Sequence, residues 1–199
     1  MAYLSVADLK TYLDISSSDD DTLLGDLIDS AVQIIENETQ TTFEAGSSTR
    51  YFTWGVDTGG HRDSWQDRRT LWFDTWLASA PTTVTNGDST TIASSNYVLL
   101  DTNRPPYYGL KLKQDASVQW TYDDSPEDAI SIVGNWGWST TPPDDIVQVT
   151  RRLAAYLYRQ KDAQIFDQTA FTELGRIQMK PRIPGDVREL LARYMWHTR

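Results

Sequence analysis

The chain has 199 residues, no cysteine, 39% hydrophobic positions and a formal net charge of -10. That size allows one sizeable core, or one core carrying an insertion, while the lack of cysteine excludes a disulfide framework, a thiolate metal site and a cysteine nucleophile. The acidic balance argues against broad neutralisation of nucleic-acid phosphates; with no basic, apolar leader at the start and no apolar run near the ~18 residues that span a bilayer, a soluble protein with no membrane partner is expected.

The opening predicts two helices joined by a polar turn. Ser5 with Asp8, and Ser18 with Asp21, match the start signal in which a hydroxyl accepts from an orphan backbone N–H and an acid faces the positive helix end. In the second helix Leu23, Leu24, Leu27, Ile28, Ala31, Ile34 and Ile35 recur at helical steps, and Asp26, Asp29, Gln33 and Glu36 take other faces. That stripe needs a helical partner.

From about residue 47 the period shortens. The runs TRYFTW, TLWFDTW, TTVT, NYVLL, LKLK, SVQWTY and AISIVGNW are rich in β-branched and aromatic residues and are separated by Gly, Pro, Asn and Asp, as short antiparallel strands are. Asn86-Gly87 predicts a type I′ hairpin turn. Residues 57–69 carry no period and read as a long exposed loop.

Helical signals return at Pro143, placed as a first helical residue, with Asp144 and Asp145 suited to the helix dipole. Ile146, Thr150, Leu153, Ala154 and Leu157 then form a stripe running to about Gln164. Pro181 and Pro184 interrupt an arm without clear period, and a last helix carries Val187, Leu190, Leu191 and Tyr194 on one face. The expected fold is α+β: a helical core over 1–46 and 139–164, an inserted antiparallel β domain over 47–138, and a C-terminal arm and helix over 165–199. The segment GNWGWSTTPPDDI, residues 134–146, is then the point where the sheet returns the chain to the helices, with Trp136 or Trp138 closing the apolar seam there.

Charge is graded along the chain. Residues 1–50 hold two basic side chains against ten acidic ones, residues 51–150 six against thirteen, and residues 151–199 ten against five. A protein acidic at its start and basic at its end can attract a copy of itself head to tail, the arrangement that closes rings or grows filaments.

Catalytic and metal chemistry find little support. His61 and His197 lie in no ligand spacing, no nucleophile elbow occurs, and the acid runs at Asp19–Asp21, Asp123–Asp124 and Asp144–Asp145 sit in turns or helix starts rather than on two elements facing one cleft. No enzyme activity, cofactor or metal is expected. The eight tryptophans, with Trp54, Trp65, Trp72, Trp76, Trp120 and Trp136 in or beside the β block, leave a sugar-stacking β module of a virion or surface protein as the alternative, because exposed indoles stack on sugar rings as readily as they fill cores.

The segments YLSVADLKTYLDISSSDDDTLLGDLIDSAVQIIENETQTTF, GNWGWSTTPPDDIVQVTRRLAAYLYRQ and RIPGDVRELLARY resemble, in that order, the N-terminal signature, the helix re-entry and the C-terminal segment of phage head-tail connector (adaptor, or head-completion) proteins, in the long form also found in gene transfer agents. The resemblance implies a structural virion protein at the head-tail junction, assembled in the host cytoplasm. It implies a ring of copies, usually twelve, under the portal vertex, with portal protein and a stopper or tail-completion protein as partners and DNA passing through without sequence-specific binding. Arg182, Arg188, Arg193, Tyr194, Trp196 and Arg199 are then expected against the portal, Arg and aromatic residues being common interface anchors, and Asp26, Asp29 and Glu36 toward the channel or the neighbouring subunit, where acidic walls keep DNA from sticking.

Overall fold

The structure, a computed structural model, describes residues 3–58, 68–163, 169–171, 176–178 and 183–195. The chain forms two compact units, one from Met1–Gln40 with Pro142–Trp196 and the other built mainly from Thr41–Thr141.

The first unit is helical. Helix α1 (Val6–Leu13) starts where expected: the Ser5 Oγ accepts from the Asp8 N–H at 3.1 Å and donates to the Asp8 carboxylate at 2.6 Å. Helix α2 (Asp21–Thr39) starts later than its Ser18 signal predicts. Its N-cap residue is Asp20, whose carboxylate accepts from the Tyr158 hydroxyl at 2.7 Å, while Asp21 receives Lys10 Nζ at 2.7 Å. Two acids that could have closed the helix end locally are thus spent tying α2 to other helices. The α2 helix stops at a left-handed Gln40 with φ 53°.

Helix α3 (Asp144–Ala163) begins one residue after Pro143, whose carbonyl accepts the Val147 N–H at 3.0 Å; the proline sits at the cap rather than inside the first turn. The apolar stripes are placed as their period requires. Leu24, Ile28, Ala31 and Ile35 of α2, and Ile146, Val149, Leu153 and Ala154 of α3, are each buried, and the two helices pack on one another. Their buried hydroxyls are satisfied within the helix: Thr39 donates to the Ile35 carbonyl and Thr150 to that of Ile146, both at 2.8 Å. Helix α4 (Gly185–Leu191), extended by a 3-10 turn at Ala192–Tyr194, buries Val187 and Leu191 and packs on α2 and α3.

The second unit is a six-stranded sheet whose paired strands run antiparallel. Its strands are β1 (Gly46–Phe52), β2 (Thr70–Leu77), β3 (Thr83–Thr85), β4 (Tyr97–Leu100), β5 (Tyr107–Leu112) and β6 (Ile130–Trp136), ordered β1-β6-β2-β5-β4 with β3 also pairing β6. Burial alternates residue by residue along β6, so Ile130, Ile132 and Trp136 enter one core with Phe52, Leu71, Phe73, Leu77, Leu110 and Leu112.

The run SVQWTY is not a strand. Trp120 instead turns its indole N–H to the Arg69 carbonyl at 3.0 Å, and Thr121 N–H goes to the Asn86 side chain at 3.1 Å. The Asn86-Gly87 turn also differs from expectation. Asn86 N–H bonds Thr90 O and Ser89 N–H bonds Asn86 O, with Ser89 the left-handed residue at φ 63°; this is the three-residue loop with a terminal αL position. Gly87 is needed for a different reason: a Cβ there would lie 2.4 Å from the Thr121 carbonyl oxygen.

The chain enters and leaves this unit side by side. Trp138 N–H bonds the Thr42 carbonyl and Ala45 N–H bonds the Ser139 carbonyl, each at 2.8 Å. Between them Gly137, at φ +145°, lets the backbones touch, since a Cβ would fall 2.7 Å from Ala45 Cα. In the arm, β7 (Thr169–Phe171) and β8 (Arg176–Gln178) pair as a short antiparallel ladder, a feature that the sequence reading did not foresee. Among the described residues no helix is long and apolar enough to cross a membrane.

Candidate interaction surfaces

The acids of α2 were placed on a face away from the core, and they occupy one. At about 100° per residue, Asp26, Asp29 and Glu36 fall within an arc of roughly 80° on the side opposite Leu24, Ile28 and Ile35. Asp26 and Asp29 are exposed; Glu36 is half-buried and accepts a hydrogen bond from the Tyr3 hydroxyl. The structure therefore brings the three acids together on one outward face, with Glu36 also holding the N-terminal segment.

Of the C-terminal set, Arg188, Arg193 and Tyr194 are described, and Arg182, Trp196 and Arg199 lie outside the described residues. The described three attach α4 to its own helical unit. Tyr194 donates to both oxygens of Asp145, at 2.8 and 2.7 Å, Arg193 lies 3.8 Å from the same carboxylate, and Arg188 lies 3.9 Å from Glu38. Both arginines stay more than half exposed, at 59% and 62% of their side chains, so each ion pair is weak and each guanidinium keeps an outward side.

The Tyr194 hydroxyl is pushed up to about 12, first by burial, then by its hydrogen bond to Asp145 and that residue's negative charge, with Arg193 opposing. Burial also raises Tyr97 in the sheet unit.

A surface that the sequence reading passed over is built where α1, α3 and α4 meet. Tyr12 of α1, Arg152, Tyr156 and Arg159 of α3, and Asp186 and Val187 of α4 line a groove of about 170 Å³. Tyr12 is 49% exposed, with the Arg151 guanidinium 6.0 Å from its ring centre, and Arg152 pairs with Asp186. Arg152, Tyr156 and Arg159 stand at i, i+4 and i+7, a stripe visible in the sequence; the contributions of α1 and α4 appear only in the fold.

Among the described residues the indoles of the sheet are engaged by their own neighbours. Trp54 donates to the Trp120 carbonyl at 3.0 Å and Trp136 to that of Ser48 at 3.1 Å. Trp72 stacks with Tyr108 at 6.0 Å and 11°, and Trp76 meets Trp138 edge-on at 5.2 Å. Among the described residues the large exposed hydrophobics are Tyr12, Tyr51, Val56 and Tyr122, which include no tryptophan. Trp65, His61 and His197 lie outside the described residues. Among the described residues no three His, Asp or Glu side chains group as a metal site requires.

What the described residues define together is an α+β chain: a helical unit with acids along α2 and arginines along α3, and an antiparallel sheet inserted between its helices in the sequence. The resemblance to phage head-tail connectors is borne out, since residues 3–59 match the family model described as phage gp6-like head-tail connector protein. Solved structures that share the fold include two chains from particle necks. One chain from the neck of an empty gene transfer agent (GTA) particle, computed with C6 symmetry, aligns with 96% of this chain and 88% of its own at 16% identity and a TM-score of 0.60. Another, from the neck of a native GTA particle computed with C12 symmetry, aligns with 96% and 87% at 16% identity and a TM-score of 0.57. No curated protein sequence matches.

Proposed function

We propose that this chain is a head-tail adaptor of a tailed phage or gene transfer particle. Twelve copies form a ring beneath the portal vertex, extend the DNA channel, and offer a docking surface to the stopper or tail-completion protein. The observation that carries the reading is the fold likeness over 96% of the chain to proteins of a particle neck, one of them computed with C12 symmetry, joined to the connector match at residues 3–59.

In this reading the protein does no chemistry and holds no cofactor; it works by shape and charge. DNA slides through without sequence-specific contact, because an acidic wall offers phosphates no counter-charge. Asp26, Asp29 and Glu36 face the channel or the neighbouring copy. The C-terminal segment carrying Arg182, Arg188, Arg193, Tyr194, Trp196 and Arg199 faces the portal, Arg and aromatic side chains being common interface anchors. The ring assembles in the host cytoplasm and stays in the virion.

Electron microscopy of portal-bearing heads incubated with the full chain tests this directly. A twelve-fold ring below the portal is the expected result, and removal of all residues after Lys180 should abolish attachment while leaving the sheet unit folded. A chain that decorates the capsid surface as an isolated spike would overturn the reading.

A further inference from the structure

We infer that neighbouring copies join through the acidic face of α2 on one subunit and the Arg-Tyr groove of α1, α3 and α4 on the next; this rests on the ring reading above and assigns its subunit contact. The occupant of the groove is a second copy of this chain.

Four observations carry the assignment. The two charged faces point away from each other within one copy, because α2 and α3 pack through their apolar stripes and carry acids and arginines on their outer sides. They cannot meet within one subunit, yet a surface that complements a different surface on an identical molecule is the requirement for a heterologous contact, the kind that closes a ring. The spacing agrees: Asp29 and Glu36 are seven residues apart on α2, and Arg152 and Arg159 are seven apart on α3, so both pairs span two helical turns, about 10.5 Å along the axis. Two helices laid side by side and antiparallel therefore set Asp29 against Arg159 and Glu36 against Arg152 at once.

The balance of charge agrees as well. Among the described residues that line the groove, Arg152 and Arg159 face one acid, Asp186, and Arg151 stands over the Tyr12 ring at its edge, on a chain whose net charge is -10. Finally, Tyr12 and Tyr156 supply partly exposed aromatic area between the arginines, the residue mix that interfaces favour.

The test exchanges the charges in the full-length chain. Arg159 and Asp29 are both exposed, so Arg159→Glu and Asp29→Lys should leave the thermal midpoint unchanged. Each alone should cut ring occupancy on portal-bearing heads at least about tenfold, because like charges are then opposed around the whole ring, and the two together in one chain should restore it. Singles that assemble like the parent chain, or a double variant no better than either single, overturn the contact while leaving the ring reading intact; a parent chain that forms no ring sinks both. If instead Arg159→Glu forms rings but loses retention of a 20-base-pair duplex in a fluorescence anisotropy titration, the groove serves DNA phosphate and the subunit contact is wrong.

Discussion

Tyr194, in the last turn of the chain's described part, donates its hydroxyl to Asp145, in the first turn of α3, at 2.7 Å. The acid that the sequence marks as a partner of the helix dipole is thus also the anchor of the C-terminal helix. That helix therefore has an intramolecular seat, which fixes where the exposed sides of Arg188 and Arg193 point and gives the proposed portal surface a rigid base.

This anchor predicts a pH dependence. Tyr194 holds its proton to about 12 in the folded chain, against about 10 unfolded. A group whose folded pKa is raised stabilises fully below its unfolded pKa, and the contribution fades as pH rises through the folded value. Urea midpoints should therefore fall between pH 10 and 12 more steeply for the parent chain than for Tyr194→Phe, which should itself be weaker by about 1 kcal/mol at pH 8 through the lost hydrogen bond. Parallel pH profiles for the two chains would show that burial and Asp145 do not raise this hydroxyl on folding.

A second prediction concerns the crossing of the chain's two passages. Gly137→Ala places a methyl 2.7 Å from Ala45 Cα at a backbone angle that L-residues avoid, so the strands around Ala45–Ser139 must separate. A loss of about 2–4 kcal/mol is expected, read as a lower thermal midpoint. Gly46→Ala, where a Cβ meets nothing within 4 Å, is the control and should be nearly neutral.

How far the sequence could foresee this structure follows from the range of the forces involved. The Ser5 cap was legible because donor and acceptor lie three residues apart, and the α2 and α3 stripes were legible because burial imposes helical period. Ser18 misled because the carboxylate at Asp20 is claimed by Tyr158, 138 residues away. The hairpin type was misread because Gly87 answers to a carbonyl at Thr121, not to the two residues of its own turn. The acidic face of α2 could be read from a helical wheel, whereas the groove around Arg152 and Arg159 could not, since Tyr12 and Asp186 reach it from other helices.

The aromatic content of the sheet yields a third prediction, which separates core from sugar site. Trp136 is 4% exposed, packs 5.2 Å from Phe73 and 6.0 Å from Phe52, and donates to Ser48. Trp136→Ala should cost about 3–5 kcal/mol and Trp136→Phe about 1–2, the latter retaining most of the packing but losing the donor. Indole emission should stay unchanged on adding soluble glycans, as expected where the described rings already pack on neighbouring aromatic rings; a saturable shift would revive the sugar-binding alternative.

The last prediction separates the two duties of the acidic face. Neutralising Asp26→Asn, Asp29→Asn and Glu36→Gln together removes three negative charges but retains at each position an oxygen that can accept. Glu36→Gln in particular can still receive the Tyr3 hydroxyl, so the subunit's own stability should change by no more than about 0.5 kcal/mol, the range of surface substitutions. Assembly depends on charge rather than on that oxygen, and its response to salt should change accordingly: exposed ion pairs weaken as the screening length falls from about 10 Å at 0.1 M to about 3 Å at 1 M. Ring formation by the parent chain should therefore decline with salt, and the triple variant should start low and decline little. A triple variant that assembles as well as the parent at every ionic strength, and passes DNA as well, would remove the acidic face from both the channel and the subunit contact.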